Sequence, residues 1–162
     1  LADNYSRFYL RYVDPLKESI RQGLYATASL DAIIRWDVIL GHRFENLVAG
    51  NLPALLRCMD VEGASVLSAA PYFQRRTNRQ DACQIDLLIQ TKRALYVCEV
   101  KCRARIDRGI IEEVSRKIEA LRVPRGMSVR PVLVYEGSLD PGIESDGFFD
   151  AAVSFQDLLE AR

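Results

Sequence analysis

Gln84-Ile85-Asp86-Leu87-Leu88-Ile89 and Leu95-Tyr96-Val97-Cys98-Glu99-Val100-Lys101, joined through the polar link Thr91-Lys92-Arg93, decide the fold. Two short β-prone runs around a polar link read as a tight antiparallel hairpin. Strict alternation sets Tyr96, Cys98 and Val100 on one face and Val97, Glu99 and Lys101 on the other. The same alternation separates Asp86 from the apolar Ile85 and Leu87. A hairpin in this register brings the Asp86 carboxylate beside that of Glu99.

Working outward, a third β-prone run, Ala70 to Arg76, precedes the hairpin. Upstream of it, Leu40, Phe44, Leu47, Val48, Leu52, Leu55 and Leu56 recur at helical spacing from Asp37 onward, with Pro53 predicted to break or kink the helix. After the hairpin, Ile110, Ile111, Val114, Ile118 and Leu121 restore the helical period until Pro124 and Gly126 end it. Arg130 to Tyr135 reads as a strand and Gly137 to Gly147 as a loop. Phe148 to Val153 reads as an edge or fifth strand, and Ser154 as the cap of a closing helix. The order from Asp37 is therefore α-β-β-β-α-β-β-α, a mixed α/β layer with helices on a central sheet. Residues 1–36 form a helical extension with the aromatic face Tyr5, Phe8, Tyr9 and Tyr12, interrupted near Asp14-Pro15; residues 37–162 form the main domain.

Composition bounds the chemistry. The 162 residues suit about one domain. A single histidine, His42, excludes a catalytic metal held by three histidines. No apolar run approaches the ~18 residues of a membrane span, so no membrane partner is expected. The four cysteines form no C-x-x-C pair and read as reduced thiols of a cytoplasmic protein. The chain opens on Leu1, which suggests a piece of a longer protein. Net charge is zero, but it averages unlike parts: residues 72–108 hold nine Lys+Arg against four Asp+Glu, and residues 136–162 one against seven. The neutral total thus conceals a locally basic hairpin and an acidic tail, which is expected to pack or project away from the hairpin.

Two like charges about 4 Å apart at an effective dielectric near 20 repel by roughly 4 kcal/mol. A divalent ion removes that penalty, and Asp86 and Glu99 oxygens with a strand carbonyl and waters form the hard-oxygen shell that Mg²⁺ prefers. Glu-x-Lys alone is a common triplet. Its weight here comes from ending an apolar strand, facing a hairpin partner with a central Asp, preceding a basic run, and following a helix that bears Glu45.

This set resembles the PD-(D/E)xK restriction-endonuclease-like superfamily, whose core is α-β-β-β-α-β, over roughly Asp37 to Tyr135; the Pro that usually precedes the first carboxylate is replaced by Ile85. More narrowly, Asp3-Asn4-Tyr5-Ser6-Arg7-Phe8-Tyr9, Val13-Asp14-Pro15 and Gly41-His42-Arg43-Phe44-Glu45 resemble the nuclease-like C-terminal region of archaeal and bacterial AAA+-type ATPases. No G-x-x-x-x-G-K-[ST] is present, so the ATP-binding AAA+ part of such a chain would lie outside this sequence.

The resemblance implies a nuclease acting on DNA with Mg (or Mn). It matches Asp86 and Glu99 to the metal carboxylates, Val100 to the residue lending its carbonyl, Lys101 to the catalytic lysine and Glu45 to an auxiliary helix carboxylate. Lys117 is a further auxiliary candidate. Arg75, Arg76, Arg79, Arg103, Arg105 and Arg108 around the hairpin are the expected phosphate contacts. Simpler readings stand beside these: a structural salt-bridge cluster for Asp86, Glu99 and Lys101, an ordinary surface Glu45, a solvated i,i+4 pair of Lys117 with Glu113, and a solvated arginine face. A second function class is a non-catalytic nuclease-fold module that binds DNA or regulates its ATPase.

Overall fold

The structure, a computed structural model, describes residues 4–27, 36–78 and 80–161. The chain divides into two compact units, Leu1–Arg43 and Phe44–Arg162. In the first, α1 (Asn4–Phe8), a π-helical turn (Tyr9–Val13), a 3₁₀ turn (Asp14–Leu16) and α2 (Lys17–Arg21) follow one another. The expected interruption at Asp14-Pro15 is thus a change of helix type, as fits a proline with no N–H to donate. Rings pair along this segment, Tyr5 with Tyr9 and Phe8 with Tyr12. The Trp36 side chain lies outside the described part.

The second unit is built on a five-stranded sheet ordered β1 (Val66–Gln74), β2 (Cys83–Thr91), β3 (Ala94–Ile106), β4 (Ser128–Leu139), β5 (Ala151–Ser154). β1, β2 and β3 run antiparallel in turn, and β3, β4 and β5 run parallel. The molecule is therefore mixed α/β, as the alternation of periods predicts. Lys92 and Arg93 make the hairpin turn, closed by Thr91 Oγ1, which accepts the Ala94 N–H at 3.0 Å. α5 (Gly109–Ala120) crosses from β3 to β4, the connection that two parallel strands require.

Helices cover both faces. α3 (Trp36–Gly50) from Phe44 on, α4 (Leu52–Cys58) and α7 (Phe155–Glu160) pack Phe44, Val48, Leu55, Leu56 and Leu158 on Leu87, Ile89, Cys98, Val100, Val132 and Val134. On the other face α5 packs Ile110 and Val114 on Ile85, Leu95, Val97 and Leu133. Pro53 stands in the first turn of α4, where its missing N–H is harmless, so the long helical stretch is two helices divided at Asn51. Ser154 caps α7 through a full capping box with Asp157.

Two expectations need correction. The segment Gly137 to Gly147 is no plain loop: β4 runs to Leu139, and α6 (Pro141–Asp146) follows, its N-terminus capped by the Asp140 side chain, which accepts the Gly142 N–H. The Asp-Pro-Gly read as breakers is a cap followed by a first-turn proline. The alternation around Asp86 is also broken. Ala70 pairs with Leu88 but Tyr72 with Ile85, so Pro71 alone opposes Asp86 and Leu87. Proline has no N–H for the ladder, and the strand bulges there. As a result Ile85 faces the α5 side while Leu87 faces the other.

Candidate active site

The bulge frees Asp86 from the ladder. Regular β2–β3 pairing ends at Leu87 with Cys98, and the next residue turns its carboxylate onto β3, where Oδ2 accepts the Val100 N–H at 2.9 Å. Burial pushes the Asp86 carboxyl above its ordinary value, and the charge of Glu45 adds to this; the Val100 N–H, Lys117 and Lys101 oppose it. Asp86 and Glu45 line one open cleft of about 210 Å³, together with Asn46, Tyr72, Phe73 and Gln84. The helix carboxylate and the strand carboxylate thus meet across one cleft.

Glu99 is 1% exposed and holds two ammonium groups: Lys101 Nζ lies 2.7 Å from Oε1 and Lys117 Nζ 2.5 Å from Oε2. Burial and the Asp86 charge push its carboxyl up, against the pull of both lysines. Lys101 also reaches Glu113 Oε1 at 2.9 Å, and Lys117 lies 3.6 Å from the same atom. Burial disfavours the Lys101 charge, yet Glu99 and Glu113 hold its ammonium above the ordinary value. Glu113 is pulled down, its burial outweighed by the Lys101 hydrogen bond and charge.

Lys117 therefore does not merely form a solvated pair on the helix surface. On a 3.6-residue wheel it stands beside Ile110 and next to Leu121, at the edge of the stripe that α5 buries. That position is the signal that would have placed it on the sheet, and Glu113, one turn earlier, is brought in beside it. Glu113 was no sequence candidate for the site.

The arginines gather at one end of the sheet. β1 and β3 run the same way, so Arg75 and Arg76, just beyond β1, share the carboxyl ends of the strands with Arg103 and Arg105 on β3 and Arg108 before α5. Asp86, near the start of the opposed β2, lies toward this end as well. Arg79 lies outside the described residues. A smaller recess of about 80 Å³ there is lined by Lys101, Arg103, Arg105 and Glu113 among others. The acidic tail does not project away: Asp140 lies 3.4 Å from Arg105 and Asp146 2.9 Å from Arg108, because α6 folds back beside the end of β3. Arg76 pairs loosely with Asp81 at 3.6 Å, while Arg75 and Arg103 have no ion-pair partner among the described residues.

Formal charges set Asp86, Glu99 and Glu113 against Lys101 and Lys117, three carboxylates to two ammonium groups around largely buried positions. Among the described residues no three His, Cys, Asp or Glu side chains form a ready metal-ligating group. Mg²⁺ often takes only one or two carboxylates, with waters and substrate phosphates completing its octahedron, so the hard-oxygen donor set of Asp86 and Glu99 fits that ion. Because both Glu99 oxygens already hold ammonium groups, a cation there would displace at least one.

All four cysteines are free thiols, and no described helix is long and apolar enough to cross a membrane. No family model and no curated protein matches the chain.

Proposed function

We propose that the chain is a metal-dependent nuclease of the PD-(D/E)xK type, hydrolysing phosphodiesters of DNA, and that it serves as the C-terminal domain of a cytoplasmic AAA+-type ATPase. The observation that carries this reading is the convergence of Asp86, Glu99, Lys101 and Lys117, from two strands and the following helix, into one largely buried cluster. Three antiparallel strands, a crossover helix and a fourth strand parallel to the third support the restriction-endonuclease-like order. The ATPase context rests on the sequence resemblance of the opening segment.

In this reading Asp86, Glu99 and the Val100 carbonyl hold Mg²⁺ or Mn²⁺. The bound ion supplies an acidified water and shields the phosphodiester charge. Lys101 orients the attacking water or neutralises charge on the phosphorus oxygens, and Glu45 acts from across the cleft. Arg75, Arg103 and their neighbours at the same sheet end bind flanking phosphates, which fix the register of the strand without reading its sequence.

The test is cleavage of single-stranded, duplex and branched DNA with Mg²⁺ or Mn²⁺. Wild type cuts, and Asp86→Ala and Glu99→Ala do not; equal cutting by the variants refutes the assignment. The hold of two lysines on Glu99 favours a second reading, a non-catalytic nuclease-fold module that binds DNA. Its signature is salt-dependent DNA binding by a wild-type chain that neither cuts nor takes up metal.

A further inference from the structure

Glu99 and Glu113 compete for the same two cations. Lys101 Nζ touches both carboxylates, at 2.7 and 2.9 Å, and Lys117 Nζ holds Glu99 while standing 3.6 Å from Glu113 Oε1. The two acids differ in access, since Glu113 is 37% exposed and Glu99 1%. A lysine ammonium has donors only, so it cannot share an oxygen's coordination with a cation without strong repulsion. Once Glu99 turns an oxygen to a divalent ion, the ammonium there needs another acceptor in a site that is mostly closed to water. Glu113 is that acceptor. Lys101 is already within hydrogen-bond distance of it, and Lys117 needs to move by less than its own width.

Building on the metal-site reading above, we propose that Glu113 is a positioning residue that receives the Lys101 and Lys117 ammonium groups when a divalent cation takes the Glu99 oxygens. The exchange lets the site change from a lysine-closed to a metal-filled arrangement while each lysine stays paired. It also sets where Lys101 stands when the metal is present: on the α5 side, beside the recess lined by Arg103 and Arg105.

Glu113→Gln keeps the shape and an acceptor oxygen and removes the charge. Without metal, Glu99 still binds both lysines and only the Lys101 pair with Glu113 is lost, a modest cost to the fold; with metal, each ammonium group displaced from Glu99 lacks its counter-charge. The experiment is Mg²⁺ titration calorimetry on the whole 162-residue chain, paired with metal-free urea unfolding, for wild type, Glu113→Gln, Glu113→Asp and Asp86→Asn. Wild type binds Mg²⁺ and Asp86→Asn does not. Glu113→Gln binds about tenfold more weakly, within the usual range of coupling between interacting sites, while its metal-free stability falls by clearly less than the binding free energy does. Glu113→Asp recovers much of the loss.

Wild-type affinity in Glu113→Gln overturns the inference alone. So does a weakening matched by an equal loss of metal-free stability, which marks a merely structural residue. If wild type takes up no Mg²⁺, or Asp86→Asn binds it as tightly, the metal-site reading itself fails and the exchange falls with it.

Discussion

Replacing Lys117 by Met separates the buried network from a surface pair most cleanly. An exposed i,i+4 pair with Glu113 contributes about 0.2–0.5 kcal/mol, so a surface lysine would be nearly silent. In the structure Lys117 is 22% exposed and is bonded to Oε2 of a carboxylate that is 1% exposed. Breaking a buried pair by removing one partner costs about 3–5 kcal/mol, because the remaining charge stays desolvated. Two features reduce this here: Lys101 still holds the other oxygen of Glu99, and the Met side chain fills the stem of the lysine. We expect a loss of about 2–3 kcal/mol at pH 7, at or just below the bottom of that range.

The sign with pH follows from Glu99. Its carboxyl is already raised by burial and by Asp86, and loss of Lys117 raises it further. A carboxyl raised in the folded state binds protons that the unfolded chain has released, so stability falls as pH rises through the window above the ordinary value of 4.5. The difference between Lys117→Met and wild type therefore narrows as pH falls toward that value. Urea unfolding at several pH values measures it. A loss under about 0.5 kcal/mol at pH 7, the worth of a surface pair, or a loss independent of pH, refutes the buried network.

Three further outcomes follow from the same geometry. Asp86→Asn keeps an acceptor for the Val100 N–H but removes a charge that burial disfavours, so the metal-free variant is more stable than wild type at pH 7, and the gain disappears in urea titrations below the ordinary value of 3.8. Gly137→Ala forces a side chain onto a φ of +116°, with its Cβ overlapping the Arg103 carbonyl oxygen, and should cost about 3 kcal/mol or more by urea unfolding. Asp140→Asn with Asp146→Asn removes two largely exposed pairs at about 1 kcal/mol or less in stability, yet frees Arg105 and Arg108, so binding to a duplex tightens at low salt and its salt slope steepens.

The sequence was most legible where one period rules a whole element. The β2–β3 hairpin, the α5 stripe and the Ser154 cap all follow from local spacing and local chemistry. Asp86 and Glu99 were legible as a pair for the same reason, although the bulge that turns Asp86 onto Val100 was not, because it depends on Pro71 in another strand. Glu113 and Lys117 satisfied a local rule as a helix-surface pair; the place of Lys117 at the edge of the α5 stripe was the local hint against it, and the sheet beneath α5 decides the matter. The acidic tail was read as a charge count, whereas its contacts are set by α6 folding back through a cap formed by Asp140. Apart from the Asp140 cap itself, which is local, the deciding partner in these cases lies far away in sequence.

Whether Asp86 and Glu99 share a divalent ion is decided by Mn²⁺-soaked crystals of the wild-type chain. If they do, the map carries one anomalous peak about 2.1 Å from an oxygen of each carboxylate, with at least one lysine ammonium withdrawn from Glu99. A map with no peak there, and with Lys101 and Lys117 still seated on both Glu99 oxygens, would contradict it.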